Sequence, residues 1–437
     1  MTIELNPVGV KCNLACRYCY ETEMRDAGNY GPKDYDLVKM TAGLLDELRA
    51  SSGENWTLHG GEPLLLPLDD LEELWRWGKE AGHTLGIQTN GSLITHAHID
   101  LAQRYQVHFG ISMDGPGSMN DLRNRPTVDG TREATAASEA AVEKLCAAGV
   151  GTSVIIVLHK LNMDPDRRAE FKAWIRHLDE IGVRGVRFHP MEMDGKAHPY
   201  MATVSDYVEF YRDLRQFMQG LSTLRIDIIE DIRALLRGED DHTTCTWNTC
   251  DPYTTGAVHG VDGQGSRSNC GRTNKDGVSH PKAARVGYER YLALYHTPQE
   301  HGGCQGCRFF AMCSGQCPGE GIDGDWRNRS MYCGLYMALF GDVEEEMINR
   351  GETPLSISPQ RASVEQVLIE HWAQGNRTQL HSVLHLLEQR DQAHPEHTDI
   401  PHGDHHGDHT DADRIHVPSP HGDAPHGDAH GDHTDTP

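Results

Sequence analysis

The chain has 437 residues, with 40 Lys and Arg against 65 Asp and Glu, for a formal net charge of −25. That balance excludes a protein that grips nucleic acid through phosphates, which needs basic patches. No apolar run reaches the ~18 residues of a membrane span, so no membrane partner is expected. The opening MTIELNPVGVKC has no basic stretch followed by a long apolar one, so no secretory signal is read. A cytoplasmic, reducing location is expected. There, clustered cysteines bind metal more often than they pair as disulfides.

Residues 1–200 alternate short apolar strands with amphipathic helices. Strands are predicted at 2–8, 56–59, 84–89, 107–113, 152–158 and 184–189. The helices between them show apolar spacing at Leu37, Leu44, Leu45 and Leu48, then at Leu68, Leu71, Leu74 and Trp75. A third has Phe171, Trp174, Ile175 and Leu178, closed by Gly182. Six strand–helix units predict an α/β fold, a partial (β/α)6 barrel of the TIM type, with its chemistry where strands end. Residues 201–241 read as a helical linker, with Tyr207, Phe210, Leu214 and Phe217 on its apolar side. Residues 242–340 are rich in Cys, Gly and Asn without strong periodicity, and need metal or disulfides to order them. Helices return within 341–393. The last segment, 394–437, is Pro, Gly, His, Asp and Thr, and is expected to be disordered.

Twelve cysteines punctuate this plan. Cys12, Cys16 and Cys19 form C-x3-C-x2-C after the first strand. Three thiolates suit an iron–sulfur cluster with one iron left open, whereas structural zinc normally takes four ligands. His59-Gly60-Gly61-Glu62-Pro63 ends the second strand and Thr89-Asn90-Gly91 the third. Ser112-Met113-Asp114-Gly115-Pro116 ends the fourth, and Arg123 and Arg125 follow. Each of these alone is an ordinary turn signal. Four in order, each closing a predicted strand, are not.

This ordered set resembles the radical S-adenosylmethionine (SAM) superfamily. The resemblance implies a [4Fe-4S] cluster on Cys12, Cys16 and Cys19, with SAM on its open iron. Tyr18 stands where the family places an aromatic residue. Gly60, Gly61 and Glu62, next to His59, would hold the methionine amino group, with Glu62 pairing with the ammonium. Asn90, Ser112 and Asp114 would line the SAM site. Either Arg123 or Arg125 would meet the methionine carboxylate, and both stay open. Cys146, on a helical pattern with Val142, is assigned to the core.

Gly265-x4-Cys270 precedes C-x2-C-x5-C-x3-C from Cys304 to Cys317, and then Cys333. With Cys245 and Cys250 this makes eight thiolates and resembles the SPASM domain of radical SAM peptide and protein maturases. By that resemblance, Cys245, Cys250, Cys270 and Cys317 hold one auxiliary [4Fe-4S] cluster. Cys304, Cys307, Cys313 and Cys333 hold a second, for three clusters in all. A pair of zinc sites remains the alternative, because zinc also uses C-x2-C.

The implied activity is reductive SAM cleavage, powered by a reductant such as flavodoxin or ferredoxin. Its 5′-deoxyadenosyl radical removes hydrogen from a ribosomal peptide or protein, giving an oxidative change such as a carbon–carbon or thioether crosslink. Anaerobic sulfatase maturases share the layout but place an aspartate base after the G-x4-C cysteine. Here that residue is Gly271, which argues against formylglycine formation. A non-catalytic metal-storage or metal-delivery protein is the rival from another class, suggested by the tail. Residues 394–437 hold eleven of the 28 histidines, with ten acids against one base. His-Gly-Asp occurs there five times, starting at His402, His406, His421, His426 and His430. These repeats read either as a metal chelator or as a fused substrate peptide of the enzyme itself.

Overall fold

The computed structural model describes residues 2–393 apart from 32–33, 52–54, 193–197, 249, 252–258, 269, 274–286 and 298–301. The tail and its His-Gly-Asp repeats lie outside the described residues.

In chain order, β1 (Thr2–Asn6) is followed by the short α1 (Thr22–Asp26) and by α2 (Leu37–Ser51). Strand–helix pairs then repeat: β2 (Asn55–Leu58) and α3 (Leu68–Glu80), β3 (Thr84–Thr89) and α4 (His96–Tyr105), β4 (His108–Ser112) and α5 (Val128–Ala147). Next come β5 (Thr152–Leu158), α6 (Lys160–Met163), α7 (Arg168–Glu180) and β6 (Gly185–Pro190). After α8 (Val204–Met218), β7 (Arg225–Ile226) and α9 (Asp227–Arg237), the Cys-rich stretch contributes β8 (His259–Asp262), β9 (Arg267–Ser268), α10 (Glu289–His296) and α11 (Phe310–Cys313). The helices α12 (Cys333–Asn349), α13 (Arg361–Ala373) and α14 (Leu380–Ala393) follow.

The local signals are ordinary ones. Thr127 caps α5 by accepting from the Gly130 amide at 3.1 Å, and Thr203 with Asp206 forms a capping box on α8. Helix α3 buries Leu71, Leu74, Trp75 and Gly78, and places Asp69 and Asp70 in its first turn.

The sheet order is β7-β6-β5-β4-β3-β2-β1-β8-β9. Every neighbouring pair is parallel except β8 with β9. Six parallel strands in sequence order with helices between them are the partial barrel. The sheet is nevertheless longer than six strands. Strand β7, only two residues, extends the β6 edge, and β8 pairs with β1. Both are too short for periodicity to reveal. The Cys-rich stretch therefore adds a hairpin to the sheet of the barrel.

The strands bury alternate residues. One set, including Ile3, Leu5, Trp56, Leu58, Ile87, Val154 and Ile156, joins the apolar core. The other set is half-buried and mostly polar, with Glu4, Asn6, Thr57, Gln88, Ser112, Arg187 and His189, and with Ile155 and Val157 of β5 as apolar members. A parallel sheet packed on both faces would instead read as continuous apolar runs. Across this face Gln88 Nε2 donates to Ser112 Oγ at 2.8 Å.

Candidate active site and its cysteine sets

Six loops leave the carboxyl edge of β1 to β6, and the predicted motifs sit on four of them. The Cys12–Cys19 loop is tied down by its backbone. Ala15 N donates to Asn124 O at 2.8 Å and Arg17 N to Leu122 O at 2.9 Å. Gly61 N donates to Gly9 O and Glu62 N to Lys11 O, each at 2.8 Å. The two loops touch only because residues 60 and 61 lack side chains. Gly60 has φ +108°, and a Cβ there would strike the Asn6 side chain, while one at Gly61 would strike the Lys11 carbonyl. His59 continues the ladder, donating its amide to Leu5 O at 2.8 Å.

Glu62 is 0 % exposed. The carboxylate accepts from Leu64 N at 3.0 Å, Thr89 Oγ1 at 2.6 Å and Asn90 N at 2.9 Å. It braces the end of β2 against the end of β3. Burial raises its pKa, opposed by those three donors. Asn90 in turn donates to Asn13 Oδ1 at 2.8 Å and lies 3.9 Å from Cys12 Sγ.

Asp114 is the hub of the site. It is 0 % exposed. Oδ1 accepts from Arg123 Nε at 3.1 Å and Val157 N at 3.0 Å. Oδ2 accepts from the Tyr18 hydroxyl and faces His159 Nε2 at 3.5 Å. Burial pushes its pKa up, but Arg123, His159 and Tyr18 together hold it below the usual aspartate value. Arg123 is thus spent on Asp114, and its guanidinium also lies 5.5 Å from the Tyr18 ring centroid. Arg125 is differently placed: its Nε is buried without a hydrogen-bond partner. His159 and Asn162, at the end of β5, were not singled out by sequence. Asn162 Nδ2 donates to Asp114 O at 2.9 Å and to Val157 O at 2.9 Å. A His–x–x–Asn capping pair just past a strand was the available signal.

All twelve cysteines are free thiols. They form sets. Burial raises the Cys12 pKa, and it takes the Cys16 thiol up to about 12; Cys19 adds to both shifts. Cys270 and Cys317 are raised first by burial, with Cys245 acting on both and Cys250 on Cys317. Cys304, Cys307, Cys313 and Cys333 line one cavity with Phe309 and Phe340. Cys146 stands apart on α5, packed against the core.

The spacing within the sets bears on what they hold. Four thiolates at ~2.3 Å from one tetrahedral zinc lie ~3.8 Å from each other. Among the described residues, no three cysteine sulfurs lie within 4.8 Å of one another. Spacings wider than that are compatible with a multi-iron cluster, in which three thiolates would leave one iron open.

Gly271 has a consequence invisible in the sequence. A Cβ at that position would lie against Glu21 Oε1 and the Tyr20 ring. Glu21 is buried, and its Oε2 has no hydrogen-bond partner. Its pKa is raised to about 7, chiefly by burial, with Arg25 opposing and Glu4 adding. The carboxylate absent from position 271 is replaced in space by one that follows Cys19.

Comparisons with known proteins agree with this geometry. The family model of the Radical SAM superfamily matches residues 6–171. The serine-type anaerobic sulfatase-maturating enzyme of Klebsiella aerogenes is 25% identical over 359 residues, 78% of this chain and 84% of that protein. Native anSMEcpe with bound AdoMet aligns at a TM-score of 0.61 and 19% identity, covering 80% of this chain and 98% of that one. Streptococcus suis SuiB bound to its precursor peptide SuiA aligns at 0.51 and 13%, covering 76% of each chain. The two structures share the fold, barrel and Cys-rich extension together. The match to the Radical SAM superfamily model thus runs from the end of β1 through β5 and covers the four motif-bearing loops.

Proposed function

We propose that the chain is a radical SAM/SPASM maturase that oxidatively modifies a ribosomal peptide or protein. The sorting of eleven thiols into one set of three and two of four carries this reading. Cys12, Cys16 and Cys19 would hold the SAM-binding cluster. Cys245, Cys250, Cys270 and Cys317 would hold one auxiliary cluster, and Cys304, Cys307, Cys313 and Cys333 the other. The bound groups supply one-electron reduction of SAM and a radical strong enough to take hydrogen from an unactivated carbon.

The residues of the chain do the holding. Gly60 and Gly61 let the loop after β2 close against the first cysteine loop, and the buried Glu62 fixes it. Arg125, with its free Nε, is favoured over Arg123 for the methionine carboxylate. Tyr18 and Asp114 set the loop's distance from β4 and β5. Ser112 and His59 would line the SAM site from neighbouring strand ends.

Anaerobic reconstitution tests the reading. About twelve irons per chain are expected for three clusters, together with SAM cleavage to 5′-deoxyadenosine under dithionite. A colourless zinc-loaded protein without cleavage would overturn it in favour of metal storage or delivery. Intact-mass analysis of the full chain and of an added His-Gly-Asp repeat peptide reads the substrate. Loss of two hydrogens, or multiples of two, marks an oxidised product, and fragmentation separates a crosslink from formylglycine, whose formation takes the same two hydrogens from a serine.

A second reading is favoured by one observation. Glu21 returns a carboxylate to the place left open at Gly271, so formylglycine formation is again chemically equipped. Conversion of a serine in a sulfatase-derived peptide to formylglycine would decide for it.

A further inference from the structure

Behind Cys270 and Cys317 lies a buried charge cluster that the site above does not use. Cys270 leads into a short turn, Gly271–Thr273, and Cys317 leads into another, Pro318–Glu320. The turns pack together at Gly319, where a Cβ would lie 3.0 Å from both Arg272 Cβ and the Arg272 carbonyl. Arg272 pairs with Glu192 and, at 3.3 Å, with Glu320. The side chains of Arg272, Glu192 and Glu320 are 14 %, 13 % and 1 % exposed. Glu320 also accepts from Ser330 Oγ at 2.8 Å and from the Tyr336 hydroxyl at 2.8 Å. Glu192 follows β6, so the cluster ties the carboxyl edge of the barrel to the two cysteine turns. Glu192 Oε2 is buried without a partner.

We propose that Arg272 is a positioning and redox-tuning residue for the cluster held by Cys245, Cys250, Cys270 and Cys317, with Glu192 and Glu320 setting its net charge effect. The inference rests on the reading of those four thiols as one cluster's ligands. Reduction adds one negative charge to such a cluster. A guanidinium fixed in a water-poor junction stabilises the reduced state, and each carboxylate opposes it. Two carboxylates against one guanidinium leave the junction short of positive charge. Neutralising either acid therefore eases reduction, and neutralising the base hinders it. An isolated surface charge would be screened by solvent and salt, and this one is not.

The experiment is a redox titration of the reconstituted full-length protein, followed by electron paramagnetic resonance, without substrate. The potential is poised at the wild-type midpoint of the auxiliary cluster. Glu192→Gln and Glu320→Gln are expected to raise the reduced-to-oxidised ratio about tenfold. Arg272→Gln lowers it by a similar factor, and Arg272→Lys restores the wild-type value. If Arg272→Gln fails to load iron, the two glutamate variants carry the test, because they remove charge with little change of shape. Unchanged midpoints in both glutamate variants, with iron content intact, overturn the inference. So does an equal shift in all three clusters, which would report a general loosening. Wild-type protein with about four irons and no auxiliary signal overturns the cluster reading itself, and this inference with it.

Discussion

At the barrel mouth, the cysteine loop and the residues leading into it are held by backbone hydrogen bonds to Gly61, Glu62, Leu122 and Asn124 and by the buried hubs Glu62 and Asp114. In 242–340 the described residues are held instead by short turns and by buried charges, with Arg290 donating to Trp326 O and Glu320 accepting from Ser330 and Tyr336. Two short strands and the eight- and four-residue helices α10 and α11 are its regular elements before α12, and its thiols sit among aromatic rings such as Phe309 and Phe340. The first region sets its loop on regular strands, and the second is expected to depend more on what its thiols hold. Metal binding and folding are one equilibrium where no preformed scaffold exists.

Stripping iron is the sharpest way to break this contrast. A chelator is expected to release fast amide exchange through 242–340 while β2 to β6 stay protected. Cys317→Ser should do the same with loss of about four of the twelve irons. Uniform loss of protection along the chain would show that the barrel, too, leans on metal. The β8–β1 pairing is where the two regions meet, so exchange at β1 reads how far the damage spreads.

Asp114→Asn attacks the other side of the comparison. It leaves the Arg123 charge buried beside a neutral amide. Breaking a buried pair by neutralising one partner costs about 3–5 kcal/mol. Urea unfolding followed at the barrel should show that loss, with iron in the auxiliary sets unchanged. A loss below ~1 kcal/mol would mean that the hub is incidental to the fold.

The contrast also explains what was legible in the sequence. Alternating apolar residues gave β3 and β5 to the residue and β1, β2, β4 and β6 within one or two, because most of these strands bury every second side chain in the core, while β4 buries Phe109, Gly110 and Ile111 in a row. Motif order located the strand-end loops. The roles of individual charges were not legible, because they depend on three-dimensional partners. Glu62 reads as a ligand group, and its bracing of β2 against β3 is not visible there. Arg123 and Arg125 look equivalent, and only one is already paired. Gly271 reads as a missing carboxylate until Glu21 is found beside it. Strands β7 and β9 have two residues each, too few to carry a period.

Asp179 gives a milder test of a barrel held by preformed hydrogen bonds. On α7, it accepts from the amides of Ser222, Thr223 and Leu224 at 2.9, 2.8 and 2.7 Å, and from Ser222 Oγ at 3.0 Å. Burial pushes its pKa up, but these donors outweigh it and bring the value down to about 2. A carboxyl with a depressed folded pKa stabilises the fold above its unfolded value, near 4, and loses that contribution as pH falls towards 2. Asp179→Asn should therefore cost about 2 kcal/mol at pH 7. The gap to wild type should hold down to pH 5 and shrink below pH 4. A gap that stays constant to pH 3 would mean that shape, not charge, is what Asp179 contributes.

Cys146 supplies the smallest effect and the control for all the cysteine substitutions. Its thiol pKa is raised by burial, with Thr152 donating against the shift. It is therefore protonated at neutral pH, when the thiolate is the form that binds iron or reacts. It packs against the core from α5, on the side of the sheet away from the polar strand face. Cys146→Ala removes one sulfur from that packing together with its contact to Thr152, so a change of about 1 kcal/mol or less is expected, with all irons retained. If iron content falls, the division of thiols into three, four and four is wrong at its simplest point, because a twelfth cysteine would be serving a cluster from outside both regions.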